Sequence, residues 1–384
     1  MPITSSDFVT RPVDDKREFI DRLEALRGVA AMMVALGHSV AVFLSSEPQW
    51  WLTKTLFNGR AAVTIFFVLS GFVLGLSLRR SRDSFVPGYI QFVLRRGFRI
   101  YPALAVTSAV IFGYFWWAYH SPVHPATTSW FQSLYATQPT WSDLWRNLTL
   151  RDFSINEVTW TLRVELFGSA VLPLMHAWAQ ASGRRGKLGL LAGLIGLAWL
   201  TRGRLGSSFF LFMFYLGYLL PEIGPPMMAW LRRKKFAQGA VVVGTVLCLL
   251  SRWGYEQPFE SFMVEALGAT VLIAGILYGP EFWPYRLLDT PVARFYGRIS
   301  YSFYLVHLCV MYVTVTGLFF RLPPDLLGKG WMCWGMLLAL VSVALATPLS
   351  WACYQWLERP AIAVGKRVCA CFRRSPTEKQ PVSA

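Results

Sequence analysis

Charge is scarce in this chain, and acid is scarcer than base: of 384 residues, 15% are charged, with 21 Asp and Glu against 37 Lys and Arg. Ordinary soluble domains carry about 25% charged residues, so a water-facing globule is excluded. Cysteine is sparse as well. Cys248, Cys309, Cys333, Cys353, Cys369 and Cys371 show no zinc-ligand spacing. Four of them lie in or beside apolar runs, where they read as small packing residues. Cys369-Ala370-Cys371, in a basic stretch, is a weak palmitoylation signal. Strictly alternating segments of about ten residues are missing, which excludes a membrane barrel. No cleavable leader is visible either. The first twenty-odd residues are polar, with Asp14, Asp15, Lys16 and Arg17, so the first apolar run is expected to act as an uncleaved anchor.

What the chain does have is apolar length. Hydrophobic residues make up 54% and aromatics 16%, and the mean hydropathy is +0.41. Repeated apolar runs of about 17–25 residues define an all-α, polytopic integral membrane protein. Ten transmembrane helices are expected, near 24–46, 58–78, 99–119, 159–180, 187–200, 206–222, 236–252, 261–279, 299–320 and 331–357. With the N-terminus inside, 27 of the 37 Lys and Arg fall on the inner side, as the positive-inside rule requires. Both termini are then cytoplasmic, in a multi-pass protein of the cell (inner) membrane. The expected organisation is a cytoplasmic segment at 1–22, a transmembrane domain at 23–360 and a basic cytoplasmic tail at 361–384, with no appended soluble domain. The net charge of +16 therefore points to lipid headgroups and a cytosolic anionic ligand, and no nucleic acid is expected.

Two stretches do not read as spans. Residues 81–98 suit a helix lying in the inner interface. Residues 120–158, rich in tryptophan and proline, are too long for a plain connector and are expected either to cap the outer face, to bind substrate or to form an aromatic belt.

Ionisable residues inside a bilayer are costly and are functional candidates by default. Arg27 and His38 lie eleven residues apart in the first span, on one helix face and separated by about 16 Å. The fourth span carries Arg163 and Glu165 close to its expected outer end, the second carries Arg60, and the ninth carries His307. A neutral imidazole and a carboxylate in one cavity make a general-base arrangement, the carboxylate fixing the tautomer. Glu165 read as a strut would instead pair with a nearby arginine such as Arg163. Arg95, Arg96 and Arg99 cluster at the inner side, where Arg96 and Arg99 share a helix face. With Arg27 at the same depth they form a mouth suited to phosphate. His120, His124 and His176 read as ordinary interface residues.

Taken in order, these segments resemble the membrane acyltransferase-3 family. Leu23-Glu24-Ala25-Leu26-Arg27-Gly28 running on to His38 is similar to its Arg-x10-His signature. Phe66-Phe67-Val68-Leu69-Ser70-Gly71-Phe72, Arg96-Gly97-Phe98-Arg99, Trp160 to Glu165 and the segment from Gly297 to His307 resemble its other motifs, with Thr161 where that family has serine. The resemblance covers nearly the whole chain. It implies an O-acyltransferase with acyl-CoA, most simply acetyl-CoA, as co-substrate and no bound cofactor or metal. The implied acceptor is a hydroxyl of a glycan, a lipid-linked unit or a small molecule. His38 and Glu165 are the implied catalytic groups, Arg27, Arg96 and Arg99 the acyl-CoA side, and Ser70, Trp160, Arg163, Tyr304 and His307 the supporting residues. The rival reading is a proton-coupled transporter or flippase using His38 and Glu165 as a relay. Transporters commonly show paired internal repeats, and none is evident here.

Overall fold

A computed structural model describes residues 13–43, 55, 57–81, 84–118, 124–254 and 258–373, and every regular element among them is helical. Two strong helix starts illustrate why. Helix α2 (Gly59–Arg80) begins after Asn58, whose side-chain oxygen accepts the Ala61 N–H, and it closes on Arg79 and Arg80, which complement the carbonyl end of the helix. Helix α11 (Pro291–Thr314) begins after Thr290, which caps Ala293, with Pro291 in the first turn.

Helix α1 (Val13–Ala41) starts well inside the segment expected to be a cytoplasmic tail. Residues 44–46 of the expected first span, like His120, lie outside the described residues. Helix α3 (Phe85–Ala118) replaces two expected elements, the interfacial helix over 81–98 and the span over 99–119, with a single run of 34 residues through Pro102. Proline removes the donor that would bond the carbonyl four residues earlier. The neighbouring helix clamps this turn, since the Tyr301 hydroxyl donates to the Ile100 carbonyl at 2.7 Å.

The connection expected to lie outside holds two short helices, α4 (Ser129–Ser133) and α5 (Trp141–Leu148), the latter started by a Thr140/Asp143 capping box. Then follow α6 (Trp160–Ala181), α7 (Gly183–Leu200), α8 (Leu211–Arg233), α9 (Ala237–Gly254) and α10 (Pro258–Tyr278). After α11 come α12 (Pro324–Lys329), α13 (Trp331–Cys353) and α14 (Arg359–Arg373), the last two joined by a π turn over Tyr354–Glu358. Residues 361–373 of the expected basic tail are therefore helical, and the rest of it lies outside the described residues. Its Cys369 is buried, with Sγ 3.5 Å from the Gln91 carbonyl of α3, so it is not presented to a palmitoylating enzyme.

Among the described residues, seven helical stretches are long and apolar enough to cross a membrane, those built on α1, α2, α3, α8, α10, α11 and α13–α14. Of the ten expected spans, α9 is apolar but short over Ala237–Ser251. Helix α6 is interrupted by Arg163, Glu165 and His176, and α7 opens on Arg184, Arg185 and Lys187. The chain is a polytopic helical membrane protein.

Helix α1 is central, packed against α2, α11 and α13, while α2 in turn contacts α6, α8 and α10. The α1–α11 crossing is the tightest feature for the site. A Cβ on Gly28 would overlap the Tyr296–Gly297 backbone, and one on Gly297 would overlap the Glu24 carbonyl. Without side chains at the crossing the two backbones touch, as small residues permit in membranes.

Gly28→Val is expected to lose about 1–3 kcal/mol of stability, read as a lower melting temperature in detergent. Gly97→Ala is the control, because nothing lies within 4 Å of a Cβ built there. A Gly28→Val protein that melts with wild type would show that the crossing is not tight.

Candidate active site

From the Gly28–Gly297 crossing, ten residues along α1 lead to His38 and ten along α11 lead to His307. Each path rises about 15 Å, and the two imidazoles meet. His38 Nδ1 lies 3.1 Å from His307 Nε2, and the rings stack at 5.3 Å between centroids with planes 13° apart. His307 Nδ1 lies 2.8 Å from the Tyr304 carbonyl. A carbonyl only accepts, so Nδ1 carries the proton of His307 and Nε2 keeps its lone pair. In the neutral pair, His38 Nδ1–H then donates to that lone pair. His38 Nε2 is left with an unprotonated lone pair, the configuration of a base.

Two cavities flank this region, named outer and inner after the orientation expected from the charge bias; the outer one opens beside His38, with about 870 Å³ of empty space including its mouth, and its walls include Phe57, Arg60, Glu157, Trp160 and Tyr304. The outer connection reaches into it. The Trp130 ring packs 5.3 Å from the His38 ring, and its indole N–H donates to Glu157 Oε2 at 3.1 Å. Of the readings offered for this segment, it covers the histidine with Trp130 and lines the cavity with Glu157.

Glu165 is elsewhere. It lines an inner cavity of about 650 Å³, counted with its mouth, together with Arg27, Ser70, Arg99, Thr161 and Tyr301. Its carboxylate pairs with Arg96 Nη2, and Arg96 Nε donates to Ser169 Oγ at 3.3 Å. The expectation that Glu165 shares a cavity with His38 and sets its tautomer is thus corrected: His307 occupies that place. The reason is depth. Just ahead of α6, the Asn156 amide bonds the Leu305 carbonyl at 2.8 Å, and Thr161 Oγ1 meets the Tyr304 hydroxyl at 3.2 Å. Helix α6 therefore starts at the level of the middle of α11, and Glu165, five residues further on, lies level with the arginines.

The supporting residues divide between these places. Ser70 belongs to the inner cavity and Trp160 to the outer, while Tyr304, with Val63, lines both. Arg163 lines neither; its guanidinium lies 4.7 Å above the Phe153 ring, and α6 directs it away from Glu165, two residues on. Arg27 and Arg99 share the inner cavity, whereas Arg96 is committed to Glu165.

Sequence reasoning reached Trp130 only as one tryptophan of the 120–158 segment and passed over Glu157. Glu157 comes three residues before Trp160 and gave a signal only in hindsight, as an acid immediately ahead of a membrane helix.

Comparison with known proteins identifies the chain as a membrane enzyme that transfers acyl groups other than amino-acyl groups. A family model described as an acyltransferase domain matches residues 20–354, and the chain belongs to the acyltransferase-3 family. Among curated proteins it is 24% identical to nodulation protein 10 of Rhizobium leguminosarum bv. viciae over 386 residues, 89% of this chain and 93% of that protein. It is 34% identical to an O-acetyl transferase of Shigella phage Sf6 over 149 residues, covering 37% of this chain but only 41% of the phage protein. It is also 25% identical to acyltransferase R4 of a Phoma species over 196 residues, 43% of this chain and 40% of that protein. No solved structure matches it significantly.

Nitrogen-15 NMR of histidine-labelled protein is expected to find His38 protonated at Nδ1 and bare at Nε2. His307→Phe should mix the two tautomers. A wild-type His38 carrying its proton on Nε2 would overturn the assignment.

Proposed function

We propose that this protein moves an acyl group, acetyl in the simplest case, from cytosolic acyl-CoA to a hydroxyl on a glycan or other acceptor at the outer side of the cell (inner) membrane. In this reading the chain crosses ten times with both termini cytoplasmic, which agrees with the inner-side excess of Lys and Arg. Arg27 and Arg99 receive the phosphates of the donor at the inner cavity. Arg96 is spent on holding Glu165, which turns that carboxylate from a base into a positioning group for the arginine wall. The thioester then reaches the level of Tyr304 and Val63, where the two cavities meet.

The acceptor hydroxyl enters from outside beside His38. Its proton moves to His38 Nε2, and its oxygen bonds to the thioester carbonyl carbon. The carbon–sulfur bond breaks, and the CoA thiolate takes a proton back from His38. As His38 becomes cationic, its Nδ1–H bond to His307 becomes charge-assisted and strengthens, which stabilises the transition state more than the ground state. The single observation that carries this reading is the His38–His307 pair, with its free lone pair beside the outer cavity and an arginine-lined cavity immediately below.

The test is release of CoA thiol by the purified protein in nanodiscs, given acetyl-CoA and an envelope extract as acceptor. His38→Ala should lower the rate by about 10²–10⁴-fold, the usual worth of a positioned base, without loss of expression. His307→Phe should also lower kcat and leave the KM for acetyl-CoA nearly unchanged. Mass spectrometry of glycans and lipids from wild-type and deletion strains should show one acyl modification lost. Solute movement with no thiol released would establish the transporter instead.

A further inference from the structure

The outer cavity contains a second built feature that proton transfer does not use. Arg60, on the first turn of α2, forms part of the cavity wall with His38. Its Nε and Nη2 donate to Glu265 Oε1 at 3.1 and 3.0 Å, and Nη2 also meets Ser261 Oγ. The guanidinium plane lies 4.4 Å from the centroid of the Phe262 ring. Glu265 is wholly buried and also accepts from Thr64 Oγ1 at 3.1 Å and Ser251 Oγ at 2.7 Å. The guanidinium is therefore fixed on two of its three nitrogens. The third, Nη1, has no protein partner among the described residues, and the side chain keeps 23% of its surface exposed.

A strut between α2 and α10 would not need this arrangement, because apolar packing of the same volume holds helices together at least as well as a buried ion pair. A fixed guanidinium with one free edge at a cavity wall is instead a pre-oriented donor. Glu157, on another part of the same cavity wall, supplies an acceptor held by Trp130. Trp160 and Phe57 add aromatic surface.

We infer that Arg60 and Glu157 orient the acceptor, and that together they select an uncharged, polyhydroxylated acceptor over one bearing a carboxylate. The inference rests on the reading of the outer cavity as the acceptor side. Charge decides the selectivity. The Arg60 cation is already neutralised by Glu265, so Glu157 leaves a surplus of one negative charge at this wall. An anionic acceptor would meet the Glu157 carboxylate at close range and find no free cation on this wall. A neutral one can accept from Nη1, donate to Glu157 and present a further hydroxyl to His38.

The experiment uses the full chain in nanodiscs, with CoA thiol release from acetyl-CoA and an envelope extract as acceptor. Methyl glucoside and methyl glucuronide, which differ in a carboxylate, serve as competing probes. Arg60→Lys keeps a charge on Glu265 but removes the second edge of donors, and should raise the KM for the acceptor by about tenfold or more, the worth of a hydrogen bond from a charged group. The KM for acetyl-CoA should not follow it. Wild type should be inhibited more strongly by the glucoside than by the glucuronide, and Glu157→Gln should narrow that difference. If Arg60→Lys fails to fold, Glu157→Gln decides alone, since that side chain is at the surface and its recorded bond is to Trp130. An unchanged acceptor KM in a folded Arg60→Lys, or stronger inhibition by the glucuronide in wild type, would overturn the inference while leaving acyl transfer intact. Absence of any thiol release by wild type would instead overturn the enzymatic reading beneath it.

Discussion

The backbone contact between α1 and α11 sets the position of everything chemical in this protein. Two glycines bring the helices together at one level, and equal lengths of helix then carry two histidines to another. Helical rise is constant, so register at the crossing becomes register at the imidazoles. A shift of one residue on either helix would rotate a ring by about 100° and move it about 1.5 Å along the axis, enough to end a 3.1 Å contact. The precision of the centre is therefore inherited from a place that has no side chains at all. Of the other helices, α4 touches the pair directly through Trp130, α2 supplies the facing wall, and α6 closes the space from the side.

Much of this was legible in the sequence, and the boundary of legibility has a physical meaning. Apolar length announced the membrane helices, and costly polar residues within them announced His38, Glu165, Arg27 and His307. Family motifs then put those residues into one order. What could not be read was depth. The notion that Glu165 faces His38 assumed that α6 begins at the outer surface. In fact the segment before it is drawn inward by the Asn156–Leu305 hydrogen bond. Such a bond links residues 149 positions apart and leaves no local trace in periodicity or composition. The same holds for Arg96 and Glu165, whose partnership joins residues 69 positions apart.

The division into two cavities addresses a problem that any transfer across a membrane must meet. A thioester brought to an open aqueous channel would be exposed to water, and a continuous polar channel would leak ions. Here the arginine-lined and histidine-bearing cavities share only a boundary, formed by the side chains of Val63 and Tyr304. Aromatic cover from Trp130 restricts the outer side. In the proposed reaction, donor and acceptor are thus separated by little more than these side chains.

Tyr304 gives this arrangement an uneven tolerance to change. Its side chain belongs to the partition, but its carbonyl oxygen dictates which nitrogen of His307 holds a proton. Any amino acid placed there would still provide the carbonyl. Evolution or an engineer could therefore reshape the partition by exchanging this one side chain while the tautomer of His307 stayed written in the main chain. The acid–base polarity of the centre is insulated from changes of side chain at this position.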